Sequence, residues 1–239
     1  MVAADMTLRA RVADAARFVV HPTFVAQPMA WGRAAAIALL AVFAADLALD
    51  WLIVGASEAF DPAGTLLPAP IEQDIGLAED IFTALIFAPL TEELLFRGWM
   101  TGRAAGLRFA VWGFAALGLF AASLMVPPAL TTPAALAGVA AVLAGLVQWS
   151  RWRHFDTAVP GWFVRHFRWF IWGQALLFGL THIGNYEPLA HPVGLLVVLP
   201  QTLGGLLLAY TRTRLGLGAA MAHHAAYNAV FLVSDYGWG

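Results

Sequence analysis

The sequence predicts an all-α, polytopic transmembrane helix bundle of about seven spans (six to eight), with a cytoplasmic N-terminus. Three observations carry that expectation. The chain is 61% hydrophobic and only 12% charged over 239 residues, whereas a soluble domain carries about 25% charged residues. It divides into apolar runs close to the ~20 residues a helix needs to cross a bilayer. Its arginines fall almost wholly on alternate connections, as they do when basic loops stay in the cytoplasm.

Residues 1–30 read as an N-terminal cytoplasmic or interfacial segment. They hold Arg9, Arg11 and Arg17 but also Asp5 and Asp14, and lack the clean apolar core of a cleavable signal peptide. Val12 to Phe24 is expected to lie on the membrane as a short amphipathic helix, separated from the first span by Pro22 and Pro28. Residues 31–239 read as one transmembrane domain with spans at 31–55, 79–100, 107–126, 133–150, 169–185, 193–211 and 216–234, the fourth being short. The 56–78 connection, with Glu58, Asp61, Glu72, Asp74 and three prolines, reads as an acidic outer loop. The 151–168 connection reads as a cytoplasmic segment lying on the headgroups, where Trp152, Trp162 and the nearby Trp169 anchor it.

The arginines test this topology. All thirteen basic residues are Arg. Arg9, Arg11, Arg17 and Arg33 precede span one, Arg103 and Arg108 follow span two, Arg151, Arg153, Arg165 and Arg168 follow span four, and Arg212 and Arg214 follow span six. The alternate connections (56–78, 127–132 and 186–192) contain none, and the one exception is Arg97, inside span two. A net charge of −2 argues against nucleic acid as a partner. The absence of cysteine excludes a disulfide framework, a thiol nucleophile and a thiolate metal site.

The chemistry concentrates in three apolar segments. In Thr91-Glu92-Glu93-Leu94-Leu95-Phe96-Arg97, two adjacent carboxylates and a guanidinium sit where charge is costly, so they face a protein interior or a wet cavity. Consecutive helical residues point about 100° apart, so Glu92 and Glu93 cannot do the same work. Arg97 is four residues after Glu93 and pairs with it on one face, which leaves Glu92 to face elsewhere as a general base. Pro89 removes a backbone hydrogen bond just ahead of the motif. His182 closes the fifth segment in Phe178-Gly-Leu-Thr-His182. His224 and Asn228 share a helix face in the last segment, the geometry of two donors toward one oxyanion. His223 is one position off that face and reads as a neighbour. The bland readings are a buried ion cluster for Glu92, Glu93 and Arg97, and interhelical hydrogen bonds for the histidines and Asn228.

With all three motifs on the page, the chain resembles the CAAX-protease and bacteriocin-processing (CPBP, or Abi) family of intramembrane proteases. That family is marked by E-E-x-x-x-R, F-x-x-x-H and H-x-x-x-N or H-x-x-x-D, in that order. They are matched here by Glu92-Glu93-x-x-x-Arg97, Phe178-x-x-x-His182 and His224-x-x-x-Asn228. The resemblance covers about 79–234. It implies a helical membrane fold around a cavity, and peptide hydrolysis by water with no metal and no other cofactor. Glu92 and His182 would activate the water, and His224 and Asn228 would stabilise the oxyanion. Glu93, Arg97 and Phe178 would support them. The substrate implied is a membrane-associated protein or peptide. Eukaryotic relatives remove the last three residues of prenylated proteins, and bacterial members imply an inner-membrane location. The stretch from Arg97 to Phe178 is long for the family, with room for two extra spans.

Three other readings fit the residues less well. A zinc protease could use two His and a Glu, but no H-E-x-x-H is present. A non-catalytic immunity protein or scaffold has no need of an isolated Glu and oxyanion donors. A transporter using the same groups as a proton relay would be expected to show internal repeats, and none is evident. Counting from the loops puts Glu92 and His224 nearer the cytoplasmic half and His182 nearer the outer half, unless the boundaries of span five are displaced.

Overall fold

The structure is a computed structural model that describes residues 7–71, 75–155 and 158–237; Asp5, Glu72 and Asp74 lie outside them. All regular structure among the described residues is helical: α1 (Leu8–Val20), α2 (Arg33–Phe60), α3 (Leu77–Phe82), α4 (Ala88–Arg97), α5 (Ala104–Met125), α6 (Pro128–Trp152), α7 (Gly161–Thr181), α8 (Leu199–Leu215) and α9 (Leu217–Gly237). Among the described residues, four stretches are long and apolar enough to cross a membrane: Arg33–Phe60, Ala104–Met125, Pro128–Trp152 and Pro192–Leu215. Each of the seven expected spans coincides with a helical run, but the run over 193–211 opens in a 3₁₀ helix (Pro192–Val198), and those over 79–100 and 169–185 are not plain helices either. The former passes through a π-helical turn (Thr83–Phe87) and ends in a 3₁₀ turn (Gly98–Thr101). The latter begins at Gly161, inside the segment expected to lie on the surface, and ends in a 3₁₀ turn from His182 to Asn185. Helix α6, the fourth expected span, starts at Pro128 rather than 133, because proline is tolerated in a first turn where no N–H is needed.

The chain forms two compact units, one of Met1–Leu90 with His166–Gly239 and one of Thr91–Arg165. In the first, α8 is the central element. Leu206, Leu207, Leu208, Ala209, Tyr210 and Thr211 are buried in succession, a helix enclosed on every side. It is ringed by α1, α2 and α9. The buried face of α2 runs Ala35, Ala38, Val42, Asp46, Asp50 at helical spacing. Helix α1 is docked against α8. Phe18 is buried edge-on to Tyr210, ring centres 5.5 Å apart, and Arg214 reaches both Asp14 at 3.2 Å and the Thr23 carbonyl at 3.1 Å. The connection after α2 is organised by Asp61, whose carboxylate accepts from the main-chain N–H groups of Thr65, Leu66 and Leu67 at 3.0, 2.7 and 2.8 Å. Those donors hold its pKa below the ordinary carboxylate value. The loop then pairs with the segment after His182 through an isolated bridge between Pro70 and Tyr186.

In the second unit, α5 and α6 form the hairpin that the long Arg97–Phe178 spacing had room for. Phe120 fills the space over Gly138, and Trp112 the space over Gly145; those pairings are antiparallel. The end of the motif helix packs beside them, with Phe96 edge-on to Phe114 and Trp99 edge-on to Phe163.

Candidate active site

A cavity of about 130 Å³ opens in the first unit, lined by Phe178 and His182 from the end of α7, Gln201 and Gly204 from α8, His224, Tyr227 and Asn228 from α9, and Asp46 from α2. Two of the three sequence motifs thus meet at one wall, so His182 and His224 are not held apart as the count from the loops suggested, even though α7 starts at Gly161 rather than 169.

Local chemistry fixes how each group is presented. His182 Nδ1 lies 2.8 Å from the Phe178 carbonyl. A carbonyl only accepts, so Nδ1 carries the proton and the neutral ring keeps Nε2 as an acceptor. Phe178 stands between the two histidines, with ring centres 4.7 Å from His182 and 6.0 Å from His224. The spacing F-x-x-x-H therefore does two things: the phenylalanine carbonyl sets the tautomer of its own histidine, and its ring spaces that histidine from the next. Gly179 lets α7 approach α8, since a Cβ there would overlap the Thr202 hydroxyl and sit 3.1 Å from the Val198 carbonyl.

Asn228 is placed by a defect in another helix. In the π turn, the Ala88 N–H reaches five residues back to the Thr83 carbonyl, and Pro89 brings no N–H of its own. The neighbouring Ala84 carbonyl accepts from Asn228 Nδ2 at 2.8 Å. One amide proton of Asn228 is thereby committed, and its other N–H remains available to the cavity.

Glu92, Glu93 and Arg97 belong to the second unit. Glu93 and Arg97 form the expected i,i+4 ion pair, both fully buried; Glu92 is partly exposed.

Sequence reasoning missed a polar ladder between α2 and α9. Asp46 Oδ2 is 3.2 Å from His223 Nε2, and one turn on, the Tyr227 hydroxyl donates to Asp50. His223 Nδ1 is also 3.0 Å from the Thr211 hydroxyl of α8. The signal was available: two aspartates in an otherwise apolar span are costly, and so mark partners. Gln201 is fixed from the other side by donating to the Tyr186 hydroxyl at 3.1 Å.

A helical bundle with apolar spans, and a cavity lined by two histidines, an amide and a carboxylate, defines the class as a helical membrane protein. The family model of the Rce1-like type II CAAX prenyl endopeptidases matches residues 75–154 and 151–230, which together cover well over half of the chain. The chain belongs to that family of membrane proteases, the CPBP family whose three motifs it carries. No curated protein and no solved structure matches it.

Proposed function

We propose that this protein is a glutamate-dependent intramembrane endopeptidase that cuts a peptide bond of a membrane-associated protein or peptide. Glu92 takes a proton from water, and His182 orients that water through its unprotonated Nε2. The oxygen adds to the scissile carbonyl. His224 and the uncommitted N–H of Asn228 receive the negative charge, a role worth about 10² to 10³ in rate for each donor. The carbon–nitrogen bond then breaks and the departing nitrogen takes up a proton. Glu93 and Arg97 hold the motif helix, and Phe178 holds the histidines. The observation that supports this reading best is that His182, His224 and Asn228 line one cavity, with His182 Nδ1 already committed to the Phe178 carbonyl.

The test uses purified protein in detergent and an internally quenched farnesyl-cysteine peptide ending in two aliphatic residues and a variable one. Glu92→Gln should abolish cleavage while the protein remains folded and inserted. A strong chelator should leave wild-type activity intact. Near-normal turnover by Glu92→Gln refutes the assignment of the base. Loss of activity on chelation, restored by stoichiometric zinc, would make the histidines ligands instead.

A further inference from the structure

We propose that the cleft between α1 and the end of α8 binds the headgroup of an anionic phospholipid, with Arg17 and Arg214 contacting its phosphate. The inference does not depend on the hydrolytic reading of the other cavity, with which the cleft shares no lining residue.

The cleft has a volume of about 570 Å³ and is lined by Asp14, Arg17, Phe18, His21, Thr23 and Arg214, among others. That size falls in the range of small-ligand sites. None of the three motifs reaches it, and α1 lies ahead of the residues the family model covers.

Arg214 is fixed in advance. Its Nε donates to Asp14 at 3.2 Å, and its terminal nitrogens donate to the Thr23 carbonyl at 3.1 Å and the Thr23 hydroxyl at 2.8 Å. Its guanidinium carbon also stands 5.3 Å from the ring centre of Phe18. Those bonds use three of the five N–H groups of an arginine. The side chain is still 17% exposed, so two N–H groups remain for a ligand. Arg17 is exposed, and its Nε donates to the Ala13 carbonyl one turn back, at 3.2 Å. Its terminal nitrogens meet no acceptor among the described residues. His21, four residues on, shares that face of the helix. The one carboxylate of the cleft is already neutralised: Asp14 accepts from Arg214 and from the Tyr210 hydroxyl, the latter at 3.3 Å. Two guanidiniums against one carboxylate leave an excess of positive charge. The planar fork of arginine matches the oxygens of a phosphate.

The place in the fold selects a lipid over a soluble phosphate. One stretch apolar enough to cross a membrane ends at Leu215, and another begins at Arg33. The Met29 N–H bonds the Arg214 carbonyl at 2.7 Å, so the two span ends lie together. The cleft therefore sits at the level where spans meet the headgroup layer. Its wall includes Val20, 75% exposed, and Trp31 in the connection to α2 is 66% exposed. Exposed carbon beside guanidinium suits the boundary of headgroup and acyl chain. A soluble phosphate would use only the charge, whereas a phospholipid uses both.

Binding is tested on the purified full chain in dodecyl maltoside, with no catalytic readout. The probes are short-chain phosphatidylglycerol, phosphatidylcholine of the same chain length, and glycerol phosphate. Bound lipid is counted by native mass spectrometry, and affinity is read from the rise in unfolding temperature with ligand concentration. Wild type should hold one phosphatidylglycerol about tenfold or more tighter than phosphatidylcholine or glycerol phosphate. Arg17→Gln should weaken phosphatidylglycerol by about tenfold or more, the loss of a hydrogen bond to a charged group. Arg214→Gln should weaken it further; because that side chain also ties α1 to α8, Arg17→Gln decides if it does not accumulate. Arg165→Gln, which removes an exposed arginine outside the cleft, should bind as wild type does. Unchanged affinity in Arg17→Gln overturns the proposal. So does an equal loss in Arg17→Gln and Arg165→Gln, which would mean diffuse attraction without a site. Equal affinity for phosphatidylcholine removes the anionic preference, and glycerol phosphate binding as tightly as the lipid would make the ligand a soluble phosphate compound; either result overturns it.

Discussion

Asn228 has two tasks that separate experimentally. Its side chain is a proposed oxyanion donor, and it also satisfies the Ala84 carbonyl beside a proline-bearing π turn. Asn228→Ala should lower single-turnover cleavage by about 10² to 10³, yet not abolish it, because His224 still donates. It should also lower stability by about 1–3 kcal/mol, the penalty of an unsatisfied buried polar group, read as a lower unfolding temperature in detergent. Full stability with lost activity would mean that the Ala84 contact carries no structural weight. The motif residues were legible because their spacing is fixed by one helix each. Asp46 was not, because its meaning depends on His223, which reads as a bystander when only the His224 face is considered. One residue of offset, about 100° of rotation, turns His223 from the cavity toward α2 and α8.

The elements show where periodicity stops being informative. Apolar runs locate helices, but they do not reveal that the run carrying Glu92 passes through a π turn, or that α7 starts at Gly161. Pro89 was the one legible hint of the former. The latter was hidden because Arg165, His166 and Arg168 look like a loop when they occupy the first turns of a helix. Two element-scale substitutions follow. Gly179→Ala places a methyl against Thr202 and the Val198 carbonyl, and forces α7 away from α8 just before His182. Overpacking of this kind costs about 1–3 kcal/mol, and activity should fall further than stability, since His182 moves with the helix end; an unchanged rate would show that α8 yields instead. Arg97→Ala leaves Glu93 as a buried carboxylate without its guanidinium, a loss of about 3–5 kcal/mol that should appear as poor accumulation and a depressed unfolding temperature. Arg97→Lys, which keeps the charge, should recover part of it.

For the whole molecule, composition and the arginine pattern made the class legible. They did not divide the chain into its two compact units, since that division rests on which helices touch and not on their hydropathy. The side of the membrane each end occupies can still be argued. Twelve of the thirteen arginines lie on or beside one set of expected connections, and two stack on tryptophan at the helix ends: Arg108 over Trp152 at 4.5 Å and Arg153 over Trp149 at 4.9 Å. Arginine with indole suits the headgroup layer, where the ring is half-buried and the cation stays wet. The Arg108–Trp152 pair joins the start of α5 to the end of α6, so both ends of that hairpin belong at one surface, with the arginine-free turn at Val126 and Pro127 at the other. An accessibility reporter inserted between Trp152 and Gly161 should therefore score cytoplasmic, and one in the connection closed by Asp61 should score extracytoplasmic. The same orientation puts the short pairing of Pro70 with Tyr186 on the outer side. If the two reporters score the other way round, the arginine rule fails for this chain, and substrate reaches the cavity from the opposite side of the bilayer.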